Sequence, residues 1–170
     1  MNNGETLPVG AVPGPAGHDH AGCVNKAIRT AEQLCALRGA RLTPIRRKVL
    51  ELVWESHRAV KAYDLLARIK PLQQAAKPAT VYRALDFLIE QGLVHRVESL
   101  NAFVGCTNSE RQHDLLLLIC ERCQEVEERP AAEAMAAVAA EIRHAGFVAH
   151  RQAIEIQGLC ARCACAETDG

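Results

Sequence analysis

Cys120 and Cys123, and again Cys160 and Cys163, form two C-x-x-C pairs. A C-x-x-C turn aims both sulfurs at one point, so two such turns complete a tetrahedral four-sulfur shell. Zinc favours that shell and needs no redox chemistry within it. One pair alone could be a thioredoxin-like dithiol, but neither has the βαβ setting of that motif. The chain between the pairs would form a loop that the metal closes, so binding energy becomes folding energy. Cys165, just beyond, reads as a spare thiol. Eight cysteines are many for a cytosolic chain, where disulfides are uncommon, and a metal is the better reason for them.

A second constellation is spread more widely. His95 shares a strand face with Leu93 and Val97, Cys106 ends the next strand, His113 precedes a leucine run, and Glu128 follows the first C-x-x-C. Each has a plain structural reading: a hydrogen-bonded histidine, a buried thiol, a solvated glutamate. Together they supply N, S, N and O donors, all of which zinc accepts. Spacing alone does not select Glu128 over Glu127 or Glu125. A metal shared by His95 and Cys106 on one side and His113 and Glu128 on the other would lock two halves of the chain into one pose. His18, His20 and Cys23 could also catch a metal, but they belong to a proline- and glycine-rich stretch read as a disordered tail over 1–22. The entropy of ordering a tail works against a specific site there.

The elements that must position these residues are legible from periodicity. An amphipathic helix spans 24–38, with Ile28, Ala31, Leu34, Cys35 and Leu37 as its stripe, and Gly39 stops it. Thr43-Pro44 starts a second helix with Ile45, Val49, Leu52 and Val53 inward. A third carries Tyr63, Leu65, Leu66 and Ile69 and ends before Pro71. A fourth runs from Pro78 to Gln91, with Gly92 as its C-terminal cap and Val81, Leu85, Leu88 and Ile89 buried. The period then changes to two, and strands over 93–98 and 102–105 flank a turn. Helices followed at once by a hairpin make a winged helix-turn-helix, with 78–91 as recognition helix. Beyond it come strands over 115–119 and 125–128, an alanine-rich helix over 131–144 and a strand over 147–156. This half is too small to bury a core alone and is expected to be completed by a copy of itself. The fold class is therefore α+β. A winged-helix domain over 23–105 and a hinge over 106–112 lead to a small α/β dimerisation domain with zinc knuckles over 113–163, then a tail over 164–170.

Charge points to a polyanion. The chain carries 20 Lys and Arg against 20 Asp and Glu. Yet residues 1–100 hold 14 basic and 9 acidic groups, and 101–170 hold 6 and 11. Between 38 and 83 there are 11 Lys and Arg against Glu51, Glu55 and Asp64. Such a segment suits nucleic acid as well as it suits a solvated helical surface. No apolar run approaches the roughly 20 residues of a membrane helix, and no signal peptide opens the sequence, so a cytoplasmic location is expected. No GxSxG, P-loop or HExxH motif occurs. Both candidate shells have four protein donors where a hydrolytic zinc needs an open position, so no enzyme is expected.

Several segments carry a family resemblance: RLTPIR at 41–46, AYDLL at 62–66, KPATVYRALDFL at 77–88, VHRVES at 94–99 and GLCARC at 158–163. With these the chain resembles the ferric uptake regulator family, most closely its zinc-responsive branch, over about residues 25–163. The resemblance implies a homodimeric, zinc-dependent repressor of zinc-uptake genes that binds palindromic double-stranded operators. It implies two zinc ions per protomer: a structural one on Cys120, Cys123, Cys160 and Cys163, and a regulatory one on His95, Cys106, His113 and Glu128. Tyr82 and Arg83 on the recognition helix, with Tyr63 and Lys77 nearby, are the expected DNA contacts. Arginine can read guanine bidentately, while Lys77 suits phosphate. No membrane or small-molecule substrate is expected. Many relatives carry a histidine-rich cluster before the first C-x-x-C where this chain has Arg111-Gln112-His113-Asp114, which argues against a further histidine site. The Cys106 thiolate argues against iron, the alternative metal within the family. Outside it, the rival reading is a thiol redox sensor or zinc reservoir without specific DNA recognition.

Overall fold

The structure is a computed structural model, and it describes residues 20–55, 58–107, 109, 115–149 and 152–168. Four helices come first: α1 (His20–Leu37), α2 (Pro44–Trp54), α3 (Ala62–Ile69) and α4 (Pro78–Glu90). They share one core in which Val49, Leu50, Val53, Leu65, Val81, Leu85 and Leu88 are sealed from solvent. In α1 the inward face is Ala27, Ile28, Ala31 and Cys35. Leu37, expected in that stripe, is 82% exposed. At 3.6 residues per turn it stands about 200° round from Cys35, on the opposite side.

Pro44 begins α2 as the Thr43-Pro44 signal predicts, although the Thr43 side chain makes no cap bond. At the head of α4, Lys77 is the N-cap, and its N–H donates to Thr80 Oγ1 at 3.3 Å. Gly92 ends α4 at φ 66, where the Leu93 N–H returns to the Leu88 carbonyl at 2.8 Å. That left-handed step is open to glycine at no steric cost, and it turns the chain straight into the wing. The wing is β1 (Val94–Val97) paired antiparallel with β2 (Ala102–Gly105), so that His95 lies opposite Val104.

The second half holds β3 (Leu115–Cys120), β4 (Val126–Pro130), α5 (Ala132–His144), β5 (Ala153–Gly158) and α6 (Ala161–Thr168). Its sheet has the order β4-β3-β5, with β3 antiparallel to β4 and parallel to β5. The strand expected over 147–156 is shorter and later. Gly146, at φ 67, ends α5, the Phe147 N–H is spent on the Ile142 carbonyl at 3.1 Å, and among the described residues pairing with β3 starts at Ala153. Helix also reaches into both stretches read as tails, at His20 and along α6. No helix among the described residues is long and apolar enough to cross a membrane. The fold is α+β, a winged helix-turn-helix followed by a small sheet-and-helix unit.

The two halves meet through the wing. Val97 and Val104 pack with Leu117, Ile119 and Val126 of the sheet, with Ala59 and Leu100 at the edge. The strand-like segment before α3 adds backbone bridges from Val60 to Phe103 and from Arg58 to Glu125. The wing is thus a docking element whose far face is the C-terminal sheet.

Candidate metal centres and nucleic-acid interface

The first C-x-x-C grows out of the end of β3. Cys120 is its last residue, and the Gln124 N–H bonds back to the Cys120 carbonyl at 2.9 Å, with Gln124 itself at φ 60. The parallel register places Cys120 beside Gly158, and the Glu121 N–H reaches the Gly158 carbonyl at 2.8 Å. The second C-x-x-C therefore opens next to the first, and it leads into α6. All four sulfurs, of Cys120, Cys123, Cys160 and Cys163, lie within 4.8 Å of one another. Cys123 Sγ and Cys160 Sγ are 3.8 Å apart, and the Cys160 N–H donates to Cys120 Sγ at 3.4 Å.

Electrostatically the set is divided. Burial pushes the Cys120 thiol up, but the backbone N–H groups of Cys123 and Cys160 outweigh it and bring the group down to about 6. Burial and the neighbouring sulfurs push Cys163 up to about 12 and raise Cys123 as well. The Cys120 thiolate is easy to form while Cys123 and Cys163 resist sharing its space, a frustration that a divalent cation removes. Four thiols with no disulfide among them are the donor set zinc takes in closed sites. Arg162 braces the cluster by an ion pair with Glu125, and Arg122 Nη1 donates to the Cys163 carbonyl at 2.9 Å.

The second constellation forms where the wing meets the sheet. His95, Cys106 and Glu128 each bring one ligand atom within 4.8 Å of the others. His95 Nε2 stands 3.6 Å from Glu128 Oε1, and Cys106 Sγ is 4.0 Å from the same oxygen. Glu128 Oε2 accepts from both the N–H and the hydroxyl of Thr107 at 2.8 Å. Burial opposes ionisation of Glu128, yet the His95 and Thr107 donors hold its carboxyl down at about 2. An anion, an imidazole and a thiol so enclosed make a donor set that suits zinc. His113, the fourth residue of that expectation, lies outside the described residues, as does His18; the side chain of His20 is likewise undescribed.

The strand alternation of β4 separates the three glutamates that spacing left equivalent. Val126 and Glu128 face the wing. Glu127 turns outward to Arg129 at 3.0 Å, and Glu125 sits at the knuckle against Arg162. Glu155 of β5 was not anticipated. Its oxygens accept the N–H groups of Glu98 and Ser99 in the wing turn. An acidic residue between two isoleucines of a strand carries no local signal for such a contact.

The expected DNA contacts lie on one half of the chain and face solvent. Tyr82 is 48% exposed and Tyr63 79%, and Lys77 and Arg83 are exposed too. On α4 the buried positions are Val81, Ala84, Leu85 and Leu88, so Tyr82 and Arg83 stand on the opposite face of the recognition helix.

Comparison with known proteins agrees with this architecture. The sequence model of the ferric uptake regulator family matches residues 37–157. The zinc uptake regulation protein of Escherichia coli K12 is 45% identical over 140 residues, 80% of each chain. The structure of a zinc uptake regulator complexed with zinc and DNA superposes with a TM-score of 0.82 at 41% identity, covering 85% of this chain and 97% of that one. Another relative, XcZur, has been solved in two states. Its holo form matches with a TM-score of 0.76 at 43% identity, covering 83% of this chain and 99% of that one. Its apo form reaches only 0.50 at 42% identity, over 84% and 99%. At near-equal sequence identity and coverage, the present structure is more similar to the holo form of that relative than to its apo form. A family match across most of its length, and 45% identity to a relative over four fifths of it, place the chain in the ferric uptake regulator family.

Proposed function

We propose that this chain is a zinc-responsive transcriptional repressor of zinc-uptake genes, a homodimer that grips a palindromic operator when zinc is plentiful in the cytoplasm. The observation that carries the reading is the convergence of His95 and Cys106 from the wing with Glu128 from the C-terminal sheet. Those three, with His113, would hold the regulatory ion, while Cys120, Cys123, Cys160 and Cys163 would hold a structural one. Bound zinc supplies positive charge and directed bonds that neither half supplies to the other. In the closed pose Glu128 and the apolar cluster of Val97, Val104 and Leu117 fix the wing, and through the wing the direction of α4. Two such helices in a two-fold dimer then stand at one separation, and a palindrome with half-sites a helical turn apart selects that separation. Arg83 and Tyr82 would read base edges, with Tyr63 and Lys77 toward the backbone. The family holds transcription regulators, which is what the non-enzymatic reading rests on.

The test is nuclease footprinting on a zinc-transporter promoter across chelator-buffered zinc. Protection of a palindromic stretch should appear as free zinc rises and vanish on chelation. Protection indifferent to zinc, or gained on thiol oxidation alone, overturns the reading in favour of a redox sensor.

A further inference from the structure

Leu117 lies at the middle of the C-terminal sheet, fully buried beneath the wing, and its two cross-strand neighbours are both glutamates. Glu128 flanks it on β4 and Glu155 on β5. Residues in register across a sheet share a face, and strands lie about 4.8 Å apart, so the two carboxylates stem from positions about 10 Å apart. Each grips a different end of the wing. Glu128 meets His95, Cys106 and Thr107, where the strands leave the hinge. Glu155 takes the far end: the Glu98 N–H donates to Oε1 at 2.6 Å and the Ser99 N–H to Oε2 at 3.0 Å.

The turn is shaped for that grip. The Asn101 N–H bonds the Glu98 carbonyl at 3.1 Å with Asn101 at φ 46, which leaves two successive amides pointing outward. The side chain of Glu98 is occupied by Arg96 at 3.0 Å, so it does not compete for them. One oxygen per amide, with a full negative charge as acceptor, is a strong form of side-chain-to-backbone bond. The donors also hold the Glu155 carboxyl below its ordinary value although burial raises it. Nothing in this contact needs a metal.

We propose that Glu155 is a positioning residue that seats the wing on the C-terminal sheet before zinc arrives, presenting His95 and Cys106 to Glu128 and so setting the free zinc at which the repressor closes. The inference rests on the zinc-gated reading above and adds to it a second, metal-independent clasp. A ligand's apparent affinity falls by the fraction of protein in the competent pose. Loosening the far end of the wing therefore weakens zinc binding at the hinge without removing any ligand.

The experiment uses the full-length chain, with Glu155→Ala, Ser99→Pro and the double variant. Proline is tolerated at the second position of such a turn and deletes one of the two donors. In the metal-free state, the Glu98 amide should exchange hydrogen about ten-fold faster in Glu155→Ala than in the wild type. In competition against a zinc chelator, the hinge midpoint should move to about ten-fold higher free zinc. The dimer and the four-cysteine zinc should be retained. At saturating zinc, affinity for a duplex selected by the wild-type protein from random DNA should return to within about two-fold. The double variant should match Glu155→Ala, since both remove one contact. An unmoved midpoint, additive effects, or loss of the dimer in a folded Glu155→Ala overturns the proposal. If Glu155→Ala does not fold, Ser99→Pro alone must raise the midpoint about three-fold, or the proposal falls. A wild type whose DNA binding ignores zinc would instead sink the functional reading, a separate outcome in the same titration.

Discussion

Exchanging the sulfur of Cys106 for oxygen changes one donor atom and little else. The side chain is 3% exposed and lies 4.0 Å from the Glu128 carboxylate, so a serine fits the space but offers a hydroxyl that stays protonated. Cys106→Ser should keep the fold and the dimer, and lower bound zinc from about two ions to about one per protomer. Operator affinity should fall at least ten-fold, roughly, at zinc levels that saturate the wild type; an unchanged gel shift would remove Cys106 from the sensor. Cys120→Ser acts elsewhere. It breaks the junction of β3 with both knuckles, where metal binding is folding energy of order 10 kcal/mol, so zinc loss should bring unfolding or dissociation. At this scale the four cysteines were readable because C-x-x-C encodes its own geometry. Glu128 was not separable from Glu125 and Glu127 without knowing which way β4 alternates. Glu155 was invisible, because its donors are 56 and 57 residues away in sequence.

Elements place these atoms by packing, and β2 lies closely against α2 at Gly105. A methyl group on Gly105 would run into the indole of Trp54, well inside van der Waals contact. The ring is no flexible tip that could swing aside, so Gly105→Ala must push the second wing strand off α2. Overpacking of this kind costs about 1–3 kcal/mol. Trp54 is the chain's single tryptophan, so its fluorescence reports the displacement directly. A lower denaturation midpoint with altered native emission is expected, together with weaker zinc binding through the adjacent Cys106. An emission spectrum and stability equal to the wild type would refute the contact. The helices and the wing were legible because proline starts, glycine stops and a change of period from 3.6 to two are local signals. The start of β5 was not, since it depends on how Gly146 and Phe147 end α5 and on where β3 offers a partner. That register is what brings the knuckles together, so the least readable strand builds the most readable site.

For the molecule as a whole, the neutral total charge conceals a division of labour. The basic segment lies in the winged-helix half, and the acidic half carries Glu128 and Glu155 toward it. These carboxylates hold the reader while leaving its far side positive. Phe147, Val148, Ile156 and Leu159 of the C-terminal half are exposed, apolar side chains that a second copy would cover. A two-fold dimer doubles every phosphate contact, which turns symmetry into a measurable quantity. Each neutralised phosphate contributes about 0.9 to the slope of log K against log salt. Lys77 is exposed at the N-cap of α4, and on the proposed arrangement it would meet phosphate once per half-site. Lys77→Ala should therefore flatten the slope by about 1.8, and weaken cognate and scrambled duplexes alike. Arg83→Ala should instead cost about 1–3 kcal/mol per half-site on the cognate duplex alone. A flattening of only about 0.9 would mean that a single recognition helix engages DNA, and the two-fold arrangement would have to be abandoned.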